Sequence, residues 1–416
     1  MTSAGATMGR RRRLARLRAA GLWGVSAGVT GFYLFSLARS VADAHSAAPL
    51  TPPTDAAPAT DAPDTPLVSV IVPARDEERN IRRCIESLLA QDYPSFEVIV
   101  VDDGSTDATP AILAELRRGA PERMRVVRVN ALPSGWAGKP HALHVGSLLA
   151  RGAWLLFTDA DTVHAPAALR AAVTRAEREG ADLFSIGAAQ DLPGFWNRVL
   201  MPVAYMCIAF MYPPVLVNSR RTPVAIANGQ YLLIRRAVYD EIGGYDTDEL
   251  RGTVVDDLAL ARTVKRRGRR LLLVDGRALV TTTMYRSLAG HWNGWSKNAV
   301  AGAPGGALSF ALLAPGLPLI TITPFALLAA GLLRRDARLT LAGAAPVAAT
   351  LGYRAYQDHM LAIPLAYGWT HPLGGAVFTA ILARAFWYRL RGATVPWRGR
   401  SYAASGRSTG AQRLTS

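Results

Sequence analysis

Apolar positions along this chain fall into three regimes. Residues 20 to 38 form an uncharged apolar run, residues 67 to about 300 mix short runs with helical periods, and long apolar runs return from Ala307 onward. In the middle regime, Leu67-Val-Ser-Val-Ile-Val72 is β-branched and strand-like, and Pro73 closes it. Glu77 to Ala90 follows with Ile81, Ile85, Leu88 and Leu89 at helical spacing. A second strand is expected over Phe96-Glu-Val-Ile-Val-Val101, with a helix to about Arg117, and a third over Arg125 to Val129. Gly135-Trp-Ala-Gly-Lys-Pro-His141 then turns into another helix, and Ala153-Trp-Leu-Leu-Phe-Thr158 is the fourth strand. Short continuous apolar runs are the pattern of strands buried on both faces. Their alternation with helical stretches predicts a mostly parallel, Rossmann-like α/β sheet with right-handed crossovers.

Three of these strands end in polar or acidic residues: Arg75 to Glu78, Asp102-Asp103, and Asp159-Ala-Asp161. Ligands of open α/β sheets bind outside the carboxyl ends of strands. Two aspartates at one such end are costly without a partner. Mg2+ is a natural one, since it takes one or two carboxylates and completes its shell with phosphate oxygens. The residues alone leave a second reading open, in which Asp161 simply starts a helix ahead of Pro166. Three acidic ends on one edge describe a ligand site better than turn chemistry does. The first two suit a base and ribose, the third a metal and diphosphate. Lys139, in a glycine-containing turn before a helix, is a candidate phosphate contact or a solvated surface lysine.

Charge and cysteine content narrow the class. Half of the 416 residues are hydrophobic, yet the formal net charge is +16. The arginines sit at Arg10 to Arg13, Arg16 and Arg18, in Lys265-Arg-Arg-Gly-Arg-Arg270, and beside apolar segments. Arginine bordering apolar runs is membrane-surface charge, and without aromatic interleaving it does not describe a nucleic-acid partner. Cys84 and Cys207 provide neither metal spacing nor a disulfide framework.

The N-terminal 42 residues therefore read as a basic start and membrane anchor, and residues 43–66 as an Ala/Pro-rich tether. Val199 to Val217 is apolar but holds Pro202, Pro213 and Pro214 and lies inside the α/β stretch, so an interfacial or buried segment is expected there. Ala307 to Leu333, broken at Pro315-Gly-Leu-Pro318, is a kinked span or re-entrant hairpin. Leu339 to Tyr353 is short for a span and Leu361 to Leu382 adequate. Residues 391–416 form a basic tail. A multi-pass cell-membrane protein follows. The arginines before Ala20 place the N-terminus in the cytoplasm, which would carry the α/β domain outside if residues 20–38 cross fully.

The four motifs Val68-Ser-Val-Ile-Val-Pro-Ala-Arg-Asp-Glu-Glu78, Val101-Asp-Asp-Gly-Ser-Thr-Asp107, Gly138-Lys-Pro-His-Ala-Leu143 and Thr158-Asp-Ala-Asp161, in this order, resemble the family-2 glycosyltransferases of GT-A fold. The likeness covers residues 67–300 and implies inverting transfer of a sugar from a nucleotide-sugar, helped by Mg2+ or Mn2+. It implies that Pro73, Ala74, Arg75 and Glu77, with Asp102, Asp103 and Lys139, line the donor pocket, and that Asp159 and Asp161 are the metal and diphosphate motif. Asn228-Gly-Gln230 opens a strand and helix similar to the family's acceptor side. In Thr253-Val-Val-Asp-Asp-Leu258 the carboxylates alone read as a helix start; by the resemblance Asp257 is the general base, with Asp256 the fallback.

Processive synthases of the family carry Gln-x-x-Arg-Trp, where this chain has His291-Trp-Asn-Gly-Trp295. Only the tryptophan fits, which argues against a polymerase. Gly294-Trp-Ser-Lys-Asn298 and Pro396-Trp-Arg-Gly-Arg-Ser-Tyr402 look more like the branch acting on polyisoprenoid lipids in carotenoid and hopanoid glycosylation. Trp295 and Lys297 are then candidate acceptor or diphosphate contacts, or interfacial anchors. A nucleotide-sugar donor, a lipid acceptor and a cytoplasmic catalytic domain, where nucleotide-sugars are found, complete the expectation. A processive polysaccharide synthase or a polyprenyl-phosphate-sugar synthase is the alternative. Nucleotidyl transfer fits less well, since Pro73-Ala-Arg-Asp-Glu77 lacks a glycine-rich loop. A catalytically idle adaptor fits poorly with intact carboxylates at Asp103, Asp159, Asp161 and Asp257.

Overall fold

Trp154–Phe157 is a four-residue strand with every side chain buried, as its apolar run requires. The computed structural model describes residues 3–46, 48–52, 65–302, 315–397 and 400–403. Most of the expected tether, the first part of the apolar run from Ala307, and much of the basic tail lie outside the described residues. The chain divides into an α/β unit (Asp43–Pro193, Met211–Pro304, Arg384–Ser416) and a helical unit (Met1–Ala42, Gly194–Phe210, Gly305–Ala383).

In the α/β unit the strands are β1 (Val68–Ala74), β2 (Phe96–Asp102), β3 (Met124–Arg128), β4 (Trp154–Phe157), β5 (Thr162–His164), β6 (Leu183–Gly187), β7 (Ala189–Gln190), β8 (Leu232–Arg235), β9 (Leu271–Asp275) and β10 (Val280–Thr282). Seven form one sheet in the order β3-β2-β1-β4-β8-β6-β9, and β5-β10-β7 form a small second sheet. The first four strands are mutually parallel, as expected. The sheet is nevertheless mixed, because β8 runs antiparallel to both β4 and β6. That reversal is what builds the site. Leu232 pairs with Phe157, so the loop preceding β8, Asn228-Gly-Gln230, lies beyond the carboxyl end of β4.

The helix Gly138–Leu149 packs on this sheet through Gly146, where an added Cβ would overlap Ile71 Cγ2. The opposite strand ends are joined by a buried polar knot. Glu97 accepts hydrogen bonds from Ser69 Oγ (2.8 Å), Arg151 N (2.9 Å) and Arg151 Nη2 (2.9 Å). Ser69 Oγ in turn accepts from Gly152 N at 2.8 Å.

The helical unit contains most of Ser3–Ser46, Gly194–Met211 and His371–Leu390, and all of Thr323–Arg334 and Ala337–Met360. Among the described residues, Arg16–Ala44 and Gly194–Met211 are long and apolar enough to cross a membrane; Pro315–Thr321 with Thr323–Arg334, bent by 45°, makes a third if the pair is one span. The expected span Leu361 to Leu382 is interrupted by the turn Leu365–Thr370 before its helix begins, so its apolar residues do not form one continuous helix. The expected short helix from Leu339 instead extends from Ala337 to Met360, with Asp336 capping it through Arg338 N and Leu339 N.

Pro202 sits inside Gly194–Met211 and cannot donate to the carbonyl of Arg198 four residues back. Arg354 Nη2 donates to that carbonyl at 2.7 Å, and Gln357 Nε2 donates to Pro202 O at 3.1 Å. Arg354 Nε also pairs with Asp358 Oδ1 at 2.7 Å, with both side chains fully buried. A helix broken by proline is thus re-satisfied from a neighbouring one.

Candidate functional site

The loops after β1 and β2 are zipped together. Asp76, at φ +52°, donates its N–H to Ser105 Oγ (3.0 Å), and its carboxylate accepts from Thr106 N (2.8 Å). Glu77 N donates to Thr109 Oγ1 (2.8 Å), and Arg75 Nη1 donates to the carbonyl of Asp103 (2.8 Å). Holding a non-glycine residue at positive φ costs about 1 kcal/mol or more and persists only where surrounding bonds impose it. Pro73, Ala74, Arg75, Glu77 and Asp103 are thereby fixed along one wall of a cavity of about 310 Å³.

The floor comes from β4 and the β8 loop. Thr158 Oγ1 donates to Gln230 O at 2.7 Å, and Asn228 N donates to Ser185 Oγ at 2.8 Å. These bonds pin Asn228-Gly-Gln230 beside Asp159 and Asp161. Beneath them His164 Nε2 lies 2.9 Å from Thr162 Oγ1, and burial depresses its pKa to about 3, so the imidazole is neutral. Cys84 Sγ lies 3.6 Å from Asp159 O; its thiol is raised to about 12 by burial and is a packing group.

At the centre stands Lys139. Its ammonium is 2.8 Å from Asp159 Oδ1 and 3.4 Å from Asp256 Oδ1. Burial opposes its charge, but Asp159, Asp256 and Asp257 outweigh that and hold its pKa above the ordinary lysine value. Asp256 and Asp257 are the first residues of the helix Asp256–Arg266, where the dipole favours negative charge. Asp256 is almost completely buried and also accepts from Tyr245 OH at 3.3 Å. Asp257 Oδ2 accepts from Gly229 N at 3.0 Å, and Oδ1 from Leu258 N at 2.8 Å. Burial, then the Asp256 charge, raise Asp257 to about 6 against the pull of Lys139. A Cβ on Gly229 would lie 2.9 Å from Lys139 Nζ and 3.3 Å from Asp257 Oδ2, so the bare glycine lets the backbone enter this cluster.

Lys139, Asp159, Asp161, Asn228, Gly229, Gln230, Asp256, Asp257 and Lys297 all line the same cavity as the β1 and β2 loops. Two of the expected site residues lie outside its lining. Asp102 is buried as the last residue of β2, where Oδ1 accepts from Ser105 N (2.9 Å) and Oδ2 is 3.6 Å from Arg128. Trp295 is buried on the helix Leu288–Gly302, its ring 6.2 Å from that of Tyr285. Conversely, Met284 and Tyr285 line the cavity without any sequence signal pointing to them, and Asn298 was visible only as the end of Gly294-Trp-Ser-Lys-Asn298.

The lining carries six carboxylates and three cations, a formal excess of three negative charges. Such a cleft repels a diphosphate unless a multivalent cation accompanies it. Among the described residues no group of three or more His, Cys, Asp or Glu side chains is arranged to hold an ion by itself. Two carboxylates, Asp159 and Asp161, are nonetheless a fitting protein share for Mg2+ or Mn2+ completed by substrate oxygens.

Residues 69–243 match the model of the family described as Glycosyl transferase family 2. The chain is 32% identical over 204 residues to the beta-monoglucosyldiacylglycerol synthase of Nostoc sp. (strain PCC 7120 / SAG 25.82 / UTEX 2576), which covers 47% of this chain and 40% of that protein. A beta-monoglucosyldiacylglycerol synthase of Synechocystis sp. is 32% identical over 199 residues, 47% of this chain and 39% of that protein. The chain thus spans about 40% of the length of the curated relatives it matches. A mannosyltransferase from Pyrobaculum calidifontis, solved in complex with GDP-Man and Mn2+, superposes with a TM-score of 0.51 at 21% identity, over 88% of this chain and 99% of that one. The fold is of GT-A type, and residues 69–243 are similar to the glycosyl transferase family 2 model.

Proposed function

We propose that the protein transfers one sugar, with inversion, from a nucleotide-sugar to a hydroxyl of a membrane lipid. The observation that carries this is the convergence of the β1, β2 and β4 ends with Asp256-Asp257 on one over-acidic cavity. Ala74, Arg75, Glu77 and Asp103 hold the nucleoside. Asp159 and Asp161 hold Mg2+ or Mn2+, which when bound neutralises the donor diphosphate. Lys139 faces the same charge. Asp257 is the base: raised to about 6, it is ionised at neutral pH yet a competent proton acceptor. It takes the acceptor's hydroxyl proton as that oxygen bonds the anomeric carbon, while the bond to the diphosphate breaks on the opposite face and the electron pair leaves with the nucleoside diphosphate. Asp256 is held in place by Lys139 and Tyr245.

A lipid acceptor is supported by the relatives, whose names are those of diacylglycerol glucosylating enzymes. The motifs at 291–298 and 396–402 favour a polyisoprenoid-type lipid within that class. Membrane attachment rests on Arg16–Ala44 and Gly194–Met211. The residues flanking Gly194–Met211 on both sides belong to the α/β unit, so that helix lies in the interface rather than crossing. With the α/β domain on the cytoplasmic face, where nucleotide-sugars are found, either residues 20–38 do not cross fully or the N-terminus lies outside despite its arginines.

The test is transfer from radiolabelled nucleotide-sugars to vesicles containing either diacylglycerol or a polyisoprenoid alcohol, with and without Mn2+. The expected result is a metal-dependent glycolipid, lost in Asp161→Ala and reduced about a thousandfold or more in Asp257→Asn. Absence of any labelled lipid with either acceptor would overturn the lipid reading, and full activity of Asp257→Asn would move the base elsewhere.

A further inference from the structure

The lining of the cavity also includes Met284, Tyr285, Lys297 and Asn298. Tyr285 is nearly buried and lies along the helix Leu288–Gly302, on the face presented by Gly290 and Gly294. A Cβ on Gly290 would lie 3.6 Å from Tyr285 Cβ and 3.7 Å from Cδ1. One turn further on, a Cβ on Gly294 would overlap the ring's Oη and Cζ. His291 and Trp295 flank the ring edge-on, with centroids at 5.0 and 6.2 Å. The phenol therefore occupies the volume that any side chain at 294 would need. Its rotamer is set by the absence of one.

We infer that Tyr285 is a specificity-determining residue, a phenol door on the acceptor side of the cleft, and that Gly294 is the positioning residue that seats it. The inference rests on the sugar-transfer reading above. In this reading the ring, seated on Gly294, leaves room for the donor beside Asp159 and Asp257 and shields the cleft from bulk water. An activated sugar beside a carboxylate base is exposed to hydrolysis unless water is kept out. In that side reaction a water oxygen bonds the anomeric carbon, its proton passes to Asp257, and the diphosphate leaves with the bond's electron pair. An acceptor hydroxyl reaching the cleft must pass the same ring.

The test uses the full-length protein in detergent and two readouts: hydrolysis of the nucleotide-sugar without acceptor, and calorimetric binding of the nucleoside diphosphate with Mn2+. Tyr285→Ala is expected to raise hydrolysis at least fivefold while nucleotide affinity stays within twofold. Gly294→Ala is expected to press the ring into the cleft, lowering hydrolysis and transfer at least tenfold with nucleotide binding retained. The double variant is expected to match Tyr285→Ala, since removing the ring removes the overlap. That rescue separates a misplaced ring from a misfolded helix. Unchanged hydrolysis in Tyr285→Ala with binding intact would overturn the inference alone, as would a double variant no better than Gly294→Ala. Failure of the wild type to bind any nucleoside diphosphate would overturn the donor site and this inference with it.

Discussion

At the scale of single residues, Asp257 links charge to chemistry. Its raised pKa means that the ionised carboxylate is disfavoured in the folded state, by burial first and by Asp256 second. Transfer measured as kcat/KM is expected to fall about tenfold per pH unit below about 6, because the base must be unprotonated. The same residue has a stability sign opposite to that of a paired carboxylate. Its folded value lies above the ordinary 3.8, so the penalty appears as pH rises through that interval toward about 6 and is fully present at 7. Asp257→Asn is therefore expected to be more stable at pH 7 by about 1–2 kcal/mol, a rise of a few degrees in Tm, while losing transfer. A calorimetric scan at pH 5 and 7 checks both sign and interval. Gly229→Ala makes a separate point. Its Cβ meets the flexible Lys139 end rather than backbone, so transfer is expected to drop about tenfold with Tm nearly unchanged. Asp102, Asp103 and Asp159 were legible in the sequence because they follow apolar runs, whereas Asp256 and Asp257 by themselves read only as a helix start. Gly229's closeness to Lys139 was not, since it arises from strands far apart in the chain.

Among the elements, the first four parallel strands could be read from apolar runs because both sheet faces are covered. The antiparallel insertion of β8 could not, since Leu232–Arg235 carries no mark of direction. Yet that direction delivers Asn228–Gln230 to the carboxylates. Nor did the sequence disclose the bend of Tyr285 back onto Gly294, which depends on side-chain shape rather than hydrophobic period. The Glu97 knot shows how the far end of the sheet is secured. Burial alone would raise Glu97, but bonds from Arg151 and Ser69 reverse this and hold it below 4.5. Its stabilisation is thus present above its ordinary value and disappears as pH falls through the lower folded one. Glu97→Ala leaves Ser69 and the turn at Arg151 without their shared acceptor, and a loss of about 2 kcal/mol in urea unfolding at pH 7 is expected.

For the molecule as a whole, the chain passes between its two units five times, at 42/43, 193/194, 210/211, 304/305 and 383/384. No single cut in the gene therefore yields the α/β unit by itself. A fragment spanning 67–300 would still encode the apolar helix Gly194–Met211, stripped of Arg354 and Gln357, which satisfy the carbonyls around Pro202. Expressed without detergent, such a fragment is expected to elute as aggregate on size exclusion, whereas the full chain in detergent elutes as a defined species. Screening soluble truncations for activity would thus reject a working catalytic unit for a reason unrelated to its catalysis.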